Sequence, residues 1–176
     1  MTETTAAPTT GKRRATFNTL EVSELRRLTD DSVEVTFAVP EELADDYDYV
    51  PGQYVALRKE LDGAEVRRSY SICAAPKRGE IRVAVKKDIG GTFSTWANES
   101  LEVGEKIDVM NPQGAFTSRT HVTSLNDAQK VAAEKVAEKK DTHLVAFAAG
   151  SGITPIMAIA KACLLYTSDA ADEGLG

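Results

Sequence analysis

Three short runs stand out for what their side chains and backbone could do: Arg68-Ser69-Tyr70-Ser71, Gly90-Gly91-Thr92-Phe93-Ser94, and Gly150-Ser151-Gly152-Ile153-Thr154-Pro155. The first supplies a permanent cation, an aromatic plane and two hydroxyls. The other two are glycine turns, each leading into a helical pattern. A guanidinium grips phosphate oxygens as a planar fork, and N–H groups at a helix start attract anions. An aromatic ring gives a flat heterocycle a surface to lie on. Together they describe binding of a ligand with a pyrophosphate and a planar ring, next to a second nucleotide. A flavin beside a nicotinamide has that chemistry.

On an extended strand Arg68 and Tyr70 project to one side, and Ser69 and Ser71 to the other. Arg68 then meets phosphate, Tyr70 lies against the ring, and Ser71, at the strand end, bonds near its reactive edge. After Gly90 and Gly91, the helical spacing of Phe93, Trp96 and Ala97 anchors the turn on the core. The N–H groups of Thr92, Phe93 and Ser94, with the Ser94 hydroxyl, then face the diphosphate. Gly150 and Gly152 let a nucleotide approach the backbone. Thr154 caps the helix or faces the flavin, and Pro155 suits a first helical turn. Plainer readings stay open: Arg68 as an exposed strand cation, Tyr70 as core, Ser and Thr as helix caps. Cys73 reads as a small buried residue, not a redox group.

The elements that must place these residues are legible in the patterning. Val33, Val35, Phe37 and Val39 alternate with Glu34 and Thr36, which puts the first four on one face of a strand and the latter two on the other. Ile81 to Lys86 alternates likewise, while Pro51-Gly52-Gln53 and Asp62-Gly63 supply turns. Residues 16–116 are thus expected to form an antiparallel flavin-binding β-barrel, preceded by a disordered arm over 1–15. Residues 117–142 read as a connector with a charged helix over Gln129 to Lys140. Leu144 to Ala149 reads as a buried parallel strand, followed by the Gly150 turn and a helix from Thr154 to about Ala162. The fold class is β plus α/β, with residues 143–162 beginning a truncated nucleotide-binding α/β domain. Cys163 to Glu173 resembles a translated sequencing adapter, so residues 163–176 are expected to be read-through; a natural helix end is the other reading.

Composition narrows the function classes. Hydrophobic residues at 42% and charged residues at 27% describe an ordinary globular protein. A net charge of −6 argues against a nucleic-acid partner. The two cysteines, Cys73 and Cys163, and two histidines, His121 and His143, lack ligand-like spacing, so no metal site is expected. Glycines, Pro155 and Lys161 interrupt the apolar run from Leu144 to Tyr166, which argues against a membrane span. The N-terminus lacks a secretory apolar core, which points to the cytoplasm.

The three runs, with Pro51-Gly52-Gln53-Tyr54 and Pro112-Gln113-Gly114-Ala115-Phe116, resemble the ferredoxin–NADP reductase superfamily over residues 16–162. Within it, Arg67 to Cys73, Val83 to Lys86 and Val109-Met110 with Pro112-Gln113-Gly114 look like the reductase subunits of phenylacetyl-CoA epoxidases. That resemblance implies FAD on the barrel, NADP(H) on the following domain, and a [2Fe-2S] cluster only in a C-terminal domain beyond this chain. It implies Arg68 on the FAD phosphate, Tyr70 on the isoalloxazine, and Ser71 and Thr154 near the hydride-transfer edge. It adds Val85 and Lys86 as cofactor contacts. The implied partner is the oxygenase component of a multicomponent epoxidase in phenylacetate degradation. A reductase for another ring or steroid hydroxylase and a non-catalytic flavin-binding barrel are the alternatives. With most of the NADPH domain missing, this chain is expected not to turn over NADPH.

Overall fold

A computed structural model of the chain describes residues 14–116 and 146–172. Six strands form one antiparallel sheet: β1 (Phe17–Thr29), β2 (Ser32–Ala38), β3 (Tyr54–Leu61), β4 (Ala64–Ser71), β5 (Glu80–Lys86) and β6 (Lys106–Met110). Their order is β4-β3-β6-β1-β2-β5. β1 serves both halves, pairing β6 through Phe17–Glu21 and β2 through Glu21–Thr29, with irregular register near Ser23 that bends it. The sheet therefore curls until its edges meet at one bridge, Ile72 with Val83, where the Cys73 N–H donates to the Arg82 carbonyl at 3.0 Å.

Apolar alternation on each strand fills the interior. Val22, Val35, Phe37, Val55, Leu57 and Val83 are fully enclosed. The Asp62–Gly63 turn joins β3 to β4 with Leu61 paired to Ala64, and both turn residues have positive φ, as the twist of a tight hairpin requires. Helix α1 (Thr92–Glu99) closes one end, inserting Phe93 and Ala97 into the core. Asn98 locks it there. Its amide donates to the carbonyls of Val85 (3.1 Å) and Ser94 (2.9 Å), while Arg27 donates to its side-chain oxygen (2.9 Å).

The other face of β2 is also enclosed. Glu34 and Thr36 are buried there: Arg26 binds the Glu34 carboxylate at 3.0 Å, and Arg82 and Cys73 flank it. Arg14 and Thr16 are tied to the barrel, because the Asn111 amide donates to the Arg14 carbonyl and its oxygen accepts from the Thr16 N–H. Ala146 to Ala149, the described part of the expected parallel strand, are exposed and irregular, with Phe147 at 92%. A strand apolar on both faces stays a strand only between sheet neighbours, and no described strand pairs with it. The connector helix and His143 to Val145 lie outside the described residues.

After a short 3-10 turn over Gly150–Gly152, helix α2 (Ile153–Asp172) runs past Ala162, because the Ala- and Leu-rich continuation favours helix whatever its origin. It rests on the barrel through the Ile159 methyl near Gly52 and the Lys161 amine, which donates to the Cys73 carbonyl at 3.2 Å. Among the described residues no helix is long and apolar enough to cross a membrane.

Candidate functional site

β4 pairs with β3 so that Tyr70 opposes Val55 and Arg68 opposes Leu57. Val55 and Leu57 belong to the core, so Arg68 and Tyr70 stand on the inward side of an edge strand. Tyr70 is half-buried, its ring centre 5.8 Å from that of Phe93. Burial pushes its phenol up to about 12, with Arg68 opposing the rise and Asp88 adding to it. The phenol is therefore neutral at working pH. Arg68 is exposed; its guanidinium donates to the Arg67 carbonyl at 2.7 Å and forms no ion pair with any described carboxylate. Its charge is left for an external anion. On the opposite face, Arg67 and Arg58 stack on the Phe17 ring at 4.9 and 4.4 Å.

The second run forms the turn into α1. Gly91 N–H donates to the Asp88 carbonyl at 3.0 Å, and the first helical bond joins the Thr95 N–H to the Gly91 carbonyl. The N–H groups of Thr92, Phe93 and Ser94 precede that bond and lie outside the helical ladder, at the positive end of the helix. The Ser94 hydroxyl departs from the expected role. It accepts from the Asp88 N–H (3.1 Å) and donates to the Gly91 carbonyl (3.2 Å), so it shapes the loop instead of facing a ligand. Gly90 adopts φ +75° with no atom within 4 Å of a would-be Cβ, leaving the approach to these N–H groups clear. An unpaired guanidinium, a helix start and a half-buried aromatic face suit a pyrophosphate joined to a planar ring. FAD fits them.

Other expected contacts fall elsewhere. Ser69 and Ser71 face away from Tyr70, as alternation demands, and Ser71 pairs with Tyr54 at the strand end. The Val85 side chain is wholly buried, and Lys86 pairs with Asp31 at 3.3 Å, so neither side chain reaches this face. Gly150, Gly152, Thr154 and Pro155 lie at the start of α2, and no hydrogen bond joins them to Arg68, Tyr70 or Ser71 among the described residues. Cys73 has a charged neighbour that the sequence did not reveal, its thiol lying 3.6 Å from a Glu34 oxygen. Burial, reinforced by that carboxylate, pushes the thiol up to about 12. It remains protonated and inert.

Two positions escaped the sequence reading. Asn98, buried near the end of α1, fixes that helix to the sheet, but nothing in its neighbouring sequence marks it apart from a surface amide. Lys59 sets its amine 5.3 Å from the Trp96 ring centre. Alternation with Val55 and Leu57 would have put it on the inward side.

The sequence pattern of the oxidoreductase FAD-binding domain family matches residues 19–118. The chain belongs to that family. As an FAD-binding domain, it is 42% identical over 144 residues to one component of the 1,2-phenylacetyl-CoA epoxidase of Escherichia coli (strain K12), covering 82% of this chain and 36% of that relative. It is 33% identical over 147 residues to the ferredoxin reductase component of 3-ketosteroid-9-alpha-monooxygenase from Rhodococcus rhodochrous, again 82% and 36%. The chain thus spans about a third of the length of these curated relatives. Among solved structures it shares the fold of the ferredoxin reductase in carbazole 1,9a-dioxygenase, at TM-score 0.64 and 24% identity, covering 87% of this chain and 41% of that one. It also shares the fold of the flavohem-like FAD/NAD binding domain of nitric oxide dioxygenase from Vibrio cholerae, at TM-score 0.62 and 22% identity, covering 89% and 58%.

Proposed function

We propose that this chain is the FAD-binding part of a reductase that draws electrons from NAD(P)H and delivers them to the oxygenase component of an aromatic-ring epoxidase. One observation carries the flavin reading: Arg68 and Tyr70 share the inward side of β4, beside the free N–H groups of α1. FAD, when bound, supplies the conversion of a hydride into electrons released singly.

The chain's own residues hold and orient that group. Arg68 neutralises a phosphate as a fork, and the Thr92, Phe93 and Ser94 N–H groups take the second anionic centre. Tyr70, kept neutral by burial, offers an uncharged face whose tilt Phe93 sets. Ser71 closes the strand next to that ring and, with its side chain facing away from Tyr70, offers its backbone at the reactive edge. Thr154, in the first turn of α2, contributes a hydroxyl from the nicotinamide side. Ala146 to Ala149 are exposed and pair with no strand among the described residues, so FAD binding without sustained NADPH oxidation is expected of this chain.

The choice of acceptor rests on the 42% identity to the phenylacetyl-CoA epoxidase component of Escherichia coli. The ketosteroid monooxygenase reductases support a steroid hydroxylase as the second reading. Titrating the chain with FAD and following flavin fluorescence tests the core of the proposal. Saturable quenching is expected, and its absence at tens of micromolar protein overturns the reading. Reduction of purified epoxidase and steroid-hydroxylase oxygenase components by the uninterrupted protein then separates the two acceptors.

A further inference from the structure

We infer that Lys161 is a positioning residue for hydride entry: by donating to the Cys73 carbonyl it seats α2 across the seam of the barrel and fixes where the helix start stands against the strand end that carries Tyr70. This rests on the reductase reading above and extends it to a residue outside the ring, phosphate and glycine-loop contacts.

The seam is where the curled sheet closes. Ile72 bridges to Val83, and the Cys73 N–H donates to the Arg82 carbonyl at 3.0 Å. The Ile72 N–H donates to the Gln53 carbonyl at 2.9 Å, which joins the chain neighbours of Cys73 and Gly52. α2 stands on both of those residues. The Ile159 methyl lies against Gly52, where an added Cβ would be 3.4 Å from it. The Lys161 amine, on a half-buried side chain, donates to the Cys73 carbonyl at 3.2 Å. Cys73 comes shortly after Tyr70 and Ser71 in the chain, so the helix is gripped by the stretch of backbone that carries the ring ledge.

The two contacts constrain different things. Apolar contact is non-directional, so Ile159 holds the helix down without fixing its register. A hydrogen bond weakens when bent or stretched, so Lys161 sets the rotation and the advance of the helix. Ala158 and Ala162, buried and one turn apart, let α2 lie close to its support with side chains too short to lock it. Thr154 lies two turns ahead of Lys161, about 10 Å along the axis and on nearly the same side of the helix. Seating Lys161 on Cys73 therefore turns Thr154 toward the barrel, where it is half-buried. The glycine loop of Gly150 to Gly152 travels with α2. Loss of the Lys161 bond thus shifts one half of the site against the other and spares the affinity of each, and a misplacement of about 1 Å between reacting groups can cost about 100-fold in rate.

In the 176-residue chain, Lys161→Met keeps the length of the stem and removes the donor. It is expected to speed hydrogen exchange of the α2 amides up to Ala162 about fivefold, the worth of one hydrogen bond, with the barrel strands, melting temperature and FAD affinity unchanged. Lys161→Arg, which restores a donor, is expected to restore protection. Unchanged exchange in Lys161→Met overturns the inference. Lys161→Gln, polar but too short to reach, repeats the measurement should Lys161→Met fail to fold. In the uninterrupted protein, Lys161→Met is expected to lower kcat for NADPH oxidation about tenfold or more while KM for NADPH holds, and Lys161→Arg to recover most of the rate. A raised KM at normal kcat places Lys161 on the nucleotide, and an unchanged kcat makes the bond a tether only; either result overturns the positioning role. If the unaltered protein neither binds FAD nor oxidises NADPH, the reductase reading falls and the positioning role falls with it, while the exchange result still reports the contact between α2 and the barrel.

Discussion

The Tyr70 and Phe93 rings meet at 36° with their centres 5.8 Å apart, so an edge strand and a helix start lean on one aromatic contact. Each half of the candidate site thereby fixes the other. Tyr70→Phe keeps the ring and is expected to bind FAD with near-normal affinity. Tyr70→Ala removes both the ledge and the contact, and is expected to cost about 2 kcal/mol of stability, since the lost ring is only half-buried. Chemical denaturation alongside FAD titration checks both; normal FAD affinity in Tyr70→Ala would remove the ring from the site.

Arg68 is expected to matter for binding and hardly at all for folding. It is exposed and bonded only to a neighbouring carbonyl, so Arg68→Ala should leave the melting temperature unchanged while weakening FAD about tenfold or more. Arg68→Lys should recover only part of that loss, because an ammonium keeps the charge but not the fork. Calorimetric titration of the three proteins decides. A large drop in melting temperature would instead give Arg68 a structural role.

Two glycines should respond differently to the same substitution. At Gly90 a methyl meets nothing, so Gly90→Ala pays only for φ +75°, about 1 kcal/mol. At Gly52 a Cβ would lie 1.8 Å from the Phe116 carbonyl oxygen, at φ +100°, so Gly52→Ala must displace backbone and is expected to destabilise far more. Thermal melting of both variants tests the ranking.

Stability should fall on the alkaline side. Burial holds the Cys73 thiol near 12 against an ordinary 9, and the Tyr70 phenol near 12 against an ordinary 10. The unfolded chain releases these protons first. Their contribution is therefore complete below about pH 9 and is lost as pH rises toward about 12. Asp108 acts in the opposite sense: the Thr19 hydroxyl, with Arg58, holds its carboxyl below the ordinary value, a contribution lost as pH falls through the acid range. Urea midpoints across pH check both limbs, and Cys73→Ala should flatten the alkaline one. Cys73 should also resist thiol reagents until the chain unfolds.

Much of the barrel was readable because local rules decide it. Alternation places Val33, Val35 and Phe37 inward, and Asp62-Gly63 is a hairpin turn wherever two extended runs flank it. Phe93 and Ala97 reach the core as their helical spacing requires. What the pattern left open was decided by partners it does not name. Alternation put Glu34 on the far face of β2, and only Arg26, Arg82 and Cys73 enclose it there. Ser94 looked like a phosphate donor until Asp88 and Gly91 claimed its hydroxyl. The run from Ala146 to Ala149 carried the apolar pattern of a buried strand, but pattern cannot supply the neighbours that bury it.

By itself the sequence determined which residues can grip phosphate, which ring can carry a planar ligand and which family the barrel belongs to, because side-chain chemistry and short-range periodicity are local properties. Tertiary structure alone decided that Arg68 has no described acidic partner, that Tyr70 leans on Phe93, and that Trp96 borders an open groove. Those facts depend on how the curled sheet brings an edge strand against a helix, a matter of long-range packing that no single stretch of chain encodes.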